Sequence, residues 1–336
     1  MEDCMGEVIL VSGGAGYIGS HTVLALQEAG HEVLVLDDFS EGHLAALRGT
    51  PYVRGSLLDR QFLKDVFARH QVAGIVHFAA RCYVGESVER PGRYYENNVV
   101  GTLNLLDAMV AAGTKRLVFS STCATYGEPA QIPITEDAPQ LPVNPYGNTK
   151  LVCELMQRDF ATAHKMGVVA LRYFNAAGAD PQGRLGEDHR PETHLIPLVL
   201  AAAAGRLPQI KVFGDDYPTP DGTCIRDYVH VTDLAQAHVL ALQSLLDGAI
   251  GFRAFNLGNA NGTSVREVIA AAERVTGKKV PHIVTARRAG DPPVLVGTPA
   301  RIQQELGWNP QHSDIDTIVA TAWQWHSQHP EGYGDS

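Results

Sequence analysis

Val8-Ile9-Leu10-Val11-Ser12-Gly13-Gly14-Ala15-Gly16-Tyr17-Ile18-Gly19 decides the class of this 336-residue chain. An apolar run passes straight into a turn with glycines at 13, 16 and 19, and a helical segment follows. Glycine is needed where a backbone turns tightly, approaches phosphate or packs a helix on a strand. A helix starting near Ile18 points its first amides at a pyrophosphate. Alone such a triplet is weak, because glycine-rich turns are common. Its context strengthens it: a second apolar run, 33–36, ends in Asp37-Asp38. An acid about 20 residues past the glycines is where NAD sites read ribose hydroxyls. No arginine follows at once to take a 2′-phosphate, so NAD is favoured over NADP.

Working outward, further apolar runs occur at 74–78, 116–120 and 168–173. Between them lie 21–29, 61–69, 99–112 and 150–164, with apolar residues at helical spacing. Strands alternating with helices imply parallel crossovers, and continuous apolar strands imply a sheet covered on both faces. The expected fold is α/β, a doubly wound parallel sheet of the Rossmann type. Beyond about residue 176 proline and glycine become frequent, and helices near 195–204, 231–246 and 264–276 are separated by long loops. This reads as a smaller, loop-rich part resting on the sheet.

The composition, 45% apolar and 19% charged, is that of an ordinary globular protein. A formal charge of -10 repels polyphosphate at long range and argues against a nucleic-acid partner. The five cysteines (Cys4, Cys82, Cys123, Cys153, Cys224) are scattered, with no CxxC pair, so neither a disulfide framework nor a zinc knuckle is suggested, and no metal is expected. The acidic start, residues 1–6, is unlike a signal peptide, and no apolar run approaches bilayer length. The expectation is a cytoplasmic protein without a membrane partner.

The chemical signal is Tyr146-Gly147-Asn148-Thr149-Lys150, a tyrosine and a lysine on one helical face. A tyrosine titrates near about 10 and is a poor base at neutral pH. A nearby ammonium and a cationic nicotinamide both favour the phenolate, which makes Tyr146 a general base for a sugar hydroxyl. Lys150 also suits the cofactor ribose. YxxxK alone recurs by chance as a solvated helix face. Phe119-Ser120-Ser121-Thr122 at the end of a strand turns it into a strong signal, with Thr122 offering a second hydroxyl to the reacting oxygen. The bland alternative for Thr122 is a helix cap. His77, taken singly, reads as structural.

These motifs resemble the extended short-chain dehydrogenase/reductases. The resemblance sharpens to the UDP-glucose 4-epimerase family over about residues 7 to 335. It is carried by Val84-Gly85-Glu86-Ser87, Tyr94-Tyr95-Glu96-Asn97-Asn98-Val99-Val100-Gly101-Thr102, Leu171-Arg172-Tyr173-Phe174-Asn175, Phe213-Gly214-Asp215-Asp216-Tyr217-Pro218-Thr219, Asp221-Gly222-Thr223-Cys224-Ile225-Arg226-Asp227-Tyr228-Val229-His230 and Arg287-Arg288-Ala289-Gly290-Asp291. It implies a cofactor-binding part at 1–176, bearing Thr122, Tyr146 and Lys150. A smaller nucleotide-sugar part follows at 177–336, with some crossing of the chain between the two.

The resemblance lays NAD against Gly13, Gly16, Tyr17, Ile18, Gly19, Asp37, Asp38, Ser56, Leu57, Phe78, Ala79, Ala80, Asn98, Ser120, Tyr146, Lys150 and Tyr173. It lays a UDP-hexose against Thr122, Tyr146, Asn175, His194, Leu195, Lys211, Phe213, Arg226, Tyr228, Arg288, Asp291 and Leu295. Arg226 and Arg288 would pair with the diphosphate through forked donors, and Asp291 would accept from the uridine ribose. It also implies a homodimer whose four-helix bundle uses 99–112 and 150–164.

The chain departs from the family pattern in places. Ser56 replaces an aspartate near the adenine, and Cys82 stands where some members carry a lysine. His194-Leu195 stands for Asn-Leu, and Leu295 for a tyrosine beside the sugar. Leucine is intermediate in size, which leaves UDP-N-acetylhexosamine and UDP-pentose epimerisation open beside UDP-hexose. A 4,6-dehydratase needs an acid pair after the threonine, and here Cys123-Ala124 follow. A rival of another class, a non-catalytic NAD(H) sensor, has no need of Thr122, Tyr146 and Lys150 together.

Overall fold

A computed structural model describes residues 7–288 and 291–334. Cys4, the acidic start at 1–6, and Ala289 and Gly290 of the 287–291 block lie outside the described residues.

The first half runs β1 (Val8–Ser12), α1 (Tyr17–Glu28), β2 (Val33–Asp37), β3 (Tyr52–Arg54), α2 (Arg60–Arg69), β4 (Val72–His77), α3 (Val84–Glu89) and α4 (Pro91–Tyr94). A π-type turn (Tyr95–Val100) then leads into α5 (Gly101–Ala112), β5 (Arg116–Thr122), α6 (Pro145–His164), β6 (Gly167–Tyr173) and β7 (Asn175–Ala177). The second half holds α7 (Leu195–Ala203), β8 (Ile210–Phe213), β9 (Ile225–Arg226), β10 (Tyr228–His230), α8 (Val231–Leu246), β11 (Gly251–Leu257) and β12 (Thr263–Ser264). It closes with α9 (Val265–Thr276), β13 (His282–Thr285), β14 (Val294–Leu295), α10 (Ala300–Leu306) and α11 (Ile315–Gln328).

Seven strands form one parallel sheet in the order β11-β6-β5-β4-β1-β2-β3. Strand residues alternate between two cores. Ile9, Val11, Val35, Val76, Val118 and Val169 face the layer that includes α8. Leu10, Leu34, Leu36, Ile75, Leu117 and Val168 face the layer of α2 and α5. Both faces are dry, which is why the strands read as unbroken apolar runs. β3 and β11 lacked that signature. β3 is a short edge with Tyr52 exposed, and β11 interleaves Arg253 with Phe252 and Phe255.

The order places β1 and β4 side by side where the winding reverses, and a crevice opens at such a switch point beyond the carboxyl ends. After β7 the chain builds a second, smaller core from α7, β8, α9 and α11, around Val199, Leu200, Ile210, Val268 and Val319. It also returns to the sheet, since β11 pairs with β6 and α8 packs on α1.

Candidate active site

The crevice is lined first by glycine. Gly13 takes φ +75°, and a Cβ there would lie 2.5 Å from the Ala79 amide nitrogen, so the turn and the 78–80 segment meet backbone to backbone. A Cβ on Gly19 would lie 2.1 Å from the Gly13 carbonyl oxygen. Gly16, the N-cap of α1, meets nothing nearer than 3.5 Å and offers no capping side chain, which leaves first-turn amides at Tyr17, Ile18 and Gly19 for an anion. This cradle fits a dinucleotide pyrophosphate. Gly19→Ala is expected to cost about 1–3 kcal/mol through overpacking and to lower NAD content, which a melting curve and assay of extracted cofactor will show.

The acids at the end of β2 divide their work. Buried Asp37 accepts from the Ala15 and Phe39 amides, each at 2.9 Å, and burial raises its pKa despite those bonds. Exposed Asp38 accepts from the Ser40 amide at 2.9 Å. Ser56 Oγ accepts from the Leu58 amide at 3.2 Å, while Leu57 lies in the core and its carbonyl accepts from Asn104. Phe78 packs beside His238 at 4.7 Å between centroids. Asn98 bonds both the amide and the carbonyl of Arg81 and also Thr149, so its carboxamide braces the segment after Ala80. His77 is buried with Nδ1 at Ser12 and Nε2 at Thr102, and burial lowers its pKa to about 3.

At the chemical end, Pro145 begins α6 and Asn144 caps it, accepting from the Gly147 amide at 2.8 Å. Tyr146 therefore sits in the first turn, with its phenol close enough to Thr122 for that hydroxyl to act on its proton affinity. Lys150 follows one turn later. Its ammonium donates to the Ser120 carbonyl at 2.7 Å and lies 4.7 Å from the Phe119 ring centroid. Ser120 Oγ bonds the Tyr173 hydroxyl.

Burial raises the Tyr146 phenol well above its ordinary value, the charges that Cys82 and Tyr173 can carry add to this, and the Thr122 hydroxyl opposes it. The Lys150 ammonium is directed at the Ser120 carbonyl. Burial pushes Lys150 down to about 8.

Most residues expected to meet the substrate lie on or beside the strands of the small sheets, with His194 and Leu195 at the start of α7. Asn175 donates to the Asp227 carbonyl at 2.9 Å, which ties β7 to the turn before Tyr228. Arg226 pairs with Asp291, so two residues expected to meet different parts of the nucleotide meet each other here. Arg288 stacks 3.9 Å from the Phe213 ring centroid. Leu295 sits in register with Arg226 and packs with Cys123 against Tyr126, Ile134 and Phe174. Tyr228 is buried, Leu195 packs in the second core, and Lys211 is exposed on β8.

Two groups escaped the sequence reading. Buried Arg172 and Glu154 pair through Nε–Oε1 at 2.9 Å and Nη2–Oε2 at 2.5 Å, and Ser121 and Tyr126 join them. Nothing in local spacing links these residues. The second is Glu187, His189, Glu192 and His194, whose ligand-type atoms all lie within 4.8 Å of one another. Its signal is the run Glu-x-His-x-x-Glu-x-His, and His194, laid against the UDP-hexose by the resemblance, is engaged here with Glu187 and Glu192. Burial disfavours both imidazolium ions there, yet the carboxylates push His189 up to about 10 and His194 up to about 11.

With the geometry in place, comparison with known proteins is specific. The sequence profile of the NAD dependent epimerase/dehydratase family matches residues 9–258. The chain is 53% identical over 326 residues to the UDP-glucose 4-epimerase of Halalkalibacterium halodurans, covering 97% of each protein. The crystal structure of UDP-glucose 4-epimerase from Brucella ovis in complex with NAD superposes with a TM-score of 0.92 at 52% identity, over 95% of this chain and 98% of that one. The UDP-Glc/GlcNAc 4-epimerase of Campylobacter jejuni gives 0.84 at 42% identity, over 96% and 100%. The chain belongs to the NAD dependent epimerase/dehydratase family and, within it, to the UDP-glucose 4-epimerases.

Proposed function

We propose that the chain interconverts UDP-glucose and UDP-galactose by NAD-dependent oxidation at C4, rotation of the 4-keto sugar and reduction on its opposite face. Thr122 at the carboxyl end of β5, set against Tyr146 and Lys150 in the first turns of α6, carries this reading. Bound NAD⁺ supplies the hydride acceptor and a positive charge that favours the Tyr146 phenolate. Tyr146 takes the proton from the sugar 4-hydroxyl and later returns it, while Thr122 orients that oxygen. Lys150 holds the cofactor ribose, and Asn175, Arg226 and Arg288 anchor the diphosphate with charge-assisted bonds. Anchoring by UDP with few contacts to the hexose leaves the keto sugar free to turn.

The test is to incubate purified protein, without added cofactor, with UDP-galactose and to quantify UDP-glucose. No conversion, even after NAD is added, would sink the reading. The same assay with UDP-N-acetylgalactosamine decides the second reading, a broader 4-epimerase, which intermediate-sized Leu295 leaves open.

Lys150 acts as the ammonium, which persists below its pKa and is lost above it. kcat/KM is expected to fall as pH rises through about 8, where burial places that group. Lys150→Arg should move this limb upward in a pH–rate profile, and an unmoved limb assigns it to another group.

A homodimer built on α5 and α6 follows the same reading. Exposed Tyr95 and Val100 on the π-type turn and Leu155 on α6 support it. Sedimentation equilibrium should give twice the 36.2 kDa chain mass, and a monomer at micromolar concentration contradicts it. We also place the protein in the cytoplasm, which fits free Cys82, Cys123, Cys153 and Cys224 and the absence, among the described residues, of a helix long and apolar enough to cross a membrane. Recovery in a secreted fraction would contradict that placement.

A further inference from the structure

We propose that Glu187, His189, Glu192 and His194 form a tetrahedral site for a divalent cation of the zinc type. The geometry fits the ion. His194 Nδ1 lies 2.8 Å from Glu187 Oε1 and 3.0 Å from Glu192 Oε1. His189 Nδ1 lies 3.1 Å from Glu187 Oε1 and 3.7 Å from Glu192 Oε2. A tetrahedron with bonds of about 2.0–2.1 Å has edges of about 3.3 Å; the imidazole–carboxylate separations fall on both sides of that value, with Glu192 reached through Oε1 by His194 and through Oε2 by His189. Two nitrogens and two carboxylate oxygens are a donor set that zinc accepts.

Charge balance points the same way. The two carboxylates, one of them fully buried, need two positive charges. Two imidazolium rings supply them only by placing like charges 5.2 Å apart between centroids. One dication bound to neutral imidazoles supplies the same charge without that repulsion, and binding releases the two imidazolium protons.

The ligands stand on a braced loop, as a preorganised site requires. Tyr333 bonds both the amide and the carbonyl of Gly186, and its own amide donates to Asp188. Arg190 donates to the Glu331 carbonyl, and His43 Nε2 bonds the Asp188 carbonyl. The His189 ring stands edge-on to Tyr17 and Tyr83, with centroids 6.1 and 6.3 Å away. His194, the most exposed ligand, gives the ion an entry path. Because Tyr17 opens the helix that cradles the pyrophosphate, a bound ion ties this loop to the cofactor turn, and removing it should loosen NAD.

The experiment uses the full chain without an affinity tag, stripped with a chelator, exposed to Zn²⁺ alone, desalted and analysed for metal. About one zinc per chain, with a rise in melting temperature on reloading, is the expected result. His189→Gln combined with His194→Gln should reduce retained zinc to background. Wild-type protein that retains no zinc and melts at the same temperature with or without it overturns the proposal and leaves the four residues as an ion-pair network. Equal zinc in wild type and double variant also overturns it, by placing the ion elsewhere. Since metal content of the wild-type chain is decisive alone, a variant that fails to fold does not blunt the test.

Discussion

Replacing Tyr146 by phenylalanine is expected to lower turnover by about 100- to 10,000-fold, the range supplied by a positioned general acid–base group. NAD binding should remain largely intact. The substitution removes one oxygen from a half-buried ring and keeps its volume, so α6 and the glycine cradle stay in place. The Thr122 hydroxyl still caps the following turn through the Ala124 amide at 3.1 Å. Single-turnover rates and calorimetric titration of NAD separate the two effects. Unchanged turnover would remove Tyr146 from the mechanism. A protein whose one measurable property is NAD-dependent partner binding, surviving this change, would instead be a sensor.

Glu154→Gln carries the largest expected loss of stability. It leaves the Arg172 guanidinium buried and uncompensated, and breaking such a pair costs about 3–5 kcal/mol against a typical total of about 5–15 kcal/mol. Glu154 lies two turns after Tyr146 on α6, Arg172 lies on β6, and Ser121, which donates to Glu154 at 2.5 Å, immediately precedes Thr122. The pair thus fixes the helix that bears the tyrosine against the strand end that bears the threonine. Chemical denaturation measures the loss. Replacing both Arg172 and Glu154 by methionine should recover part of it, because no lone charge remains. A loss under about 1 kcal/mol in the single variant would place the pair among interactions that merely break even.

Much of this molecule is written locally. The glycines at 13, 16 and 19 stand between a strand and a helix because tight turning and close backbone approach exclude a Cβ there. Strands β1, β2, β4, β5 and β6 read as apolar because the sheet is covered on both faces. Asn144, Pro145 and the four-residue spacing from Tyr146 to Lys150 start a helix and align its face without help from distant residues.

Other features depend on residues far apart in sequence. β11 joins the sheet edge beside β6 after a long excursion, and its alternating side chains gave no sign of that place. Arg226 meets Asp291, and Glu154 meets Arg172 and, through Tyr126, Asn256, only once the layers have packed. Lys150 carries the spacing of a partner to Tyr146, but packing turned its ammonium to the Ser120 carbonyl. The sequence by itself determined the layered α/β class, the glycine turn and the residues proposed for catalysis, since those rest on periodicity and backbone sterics within a few residues. Tertiary structure decided which charges pair, how far burial moves their proton affinities, and that two histidines and two glutamates converge. Those outcomes depend on desolvation and distance, which no local pattern encodes.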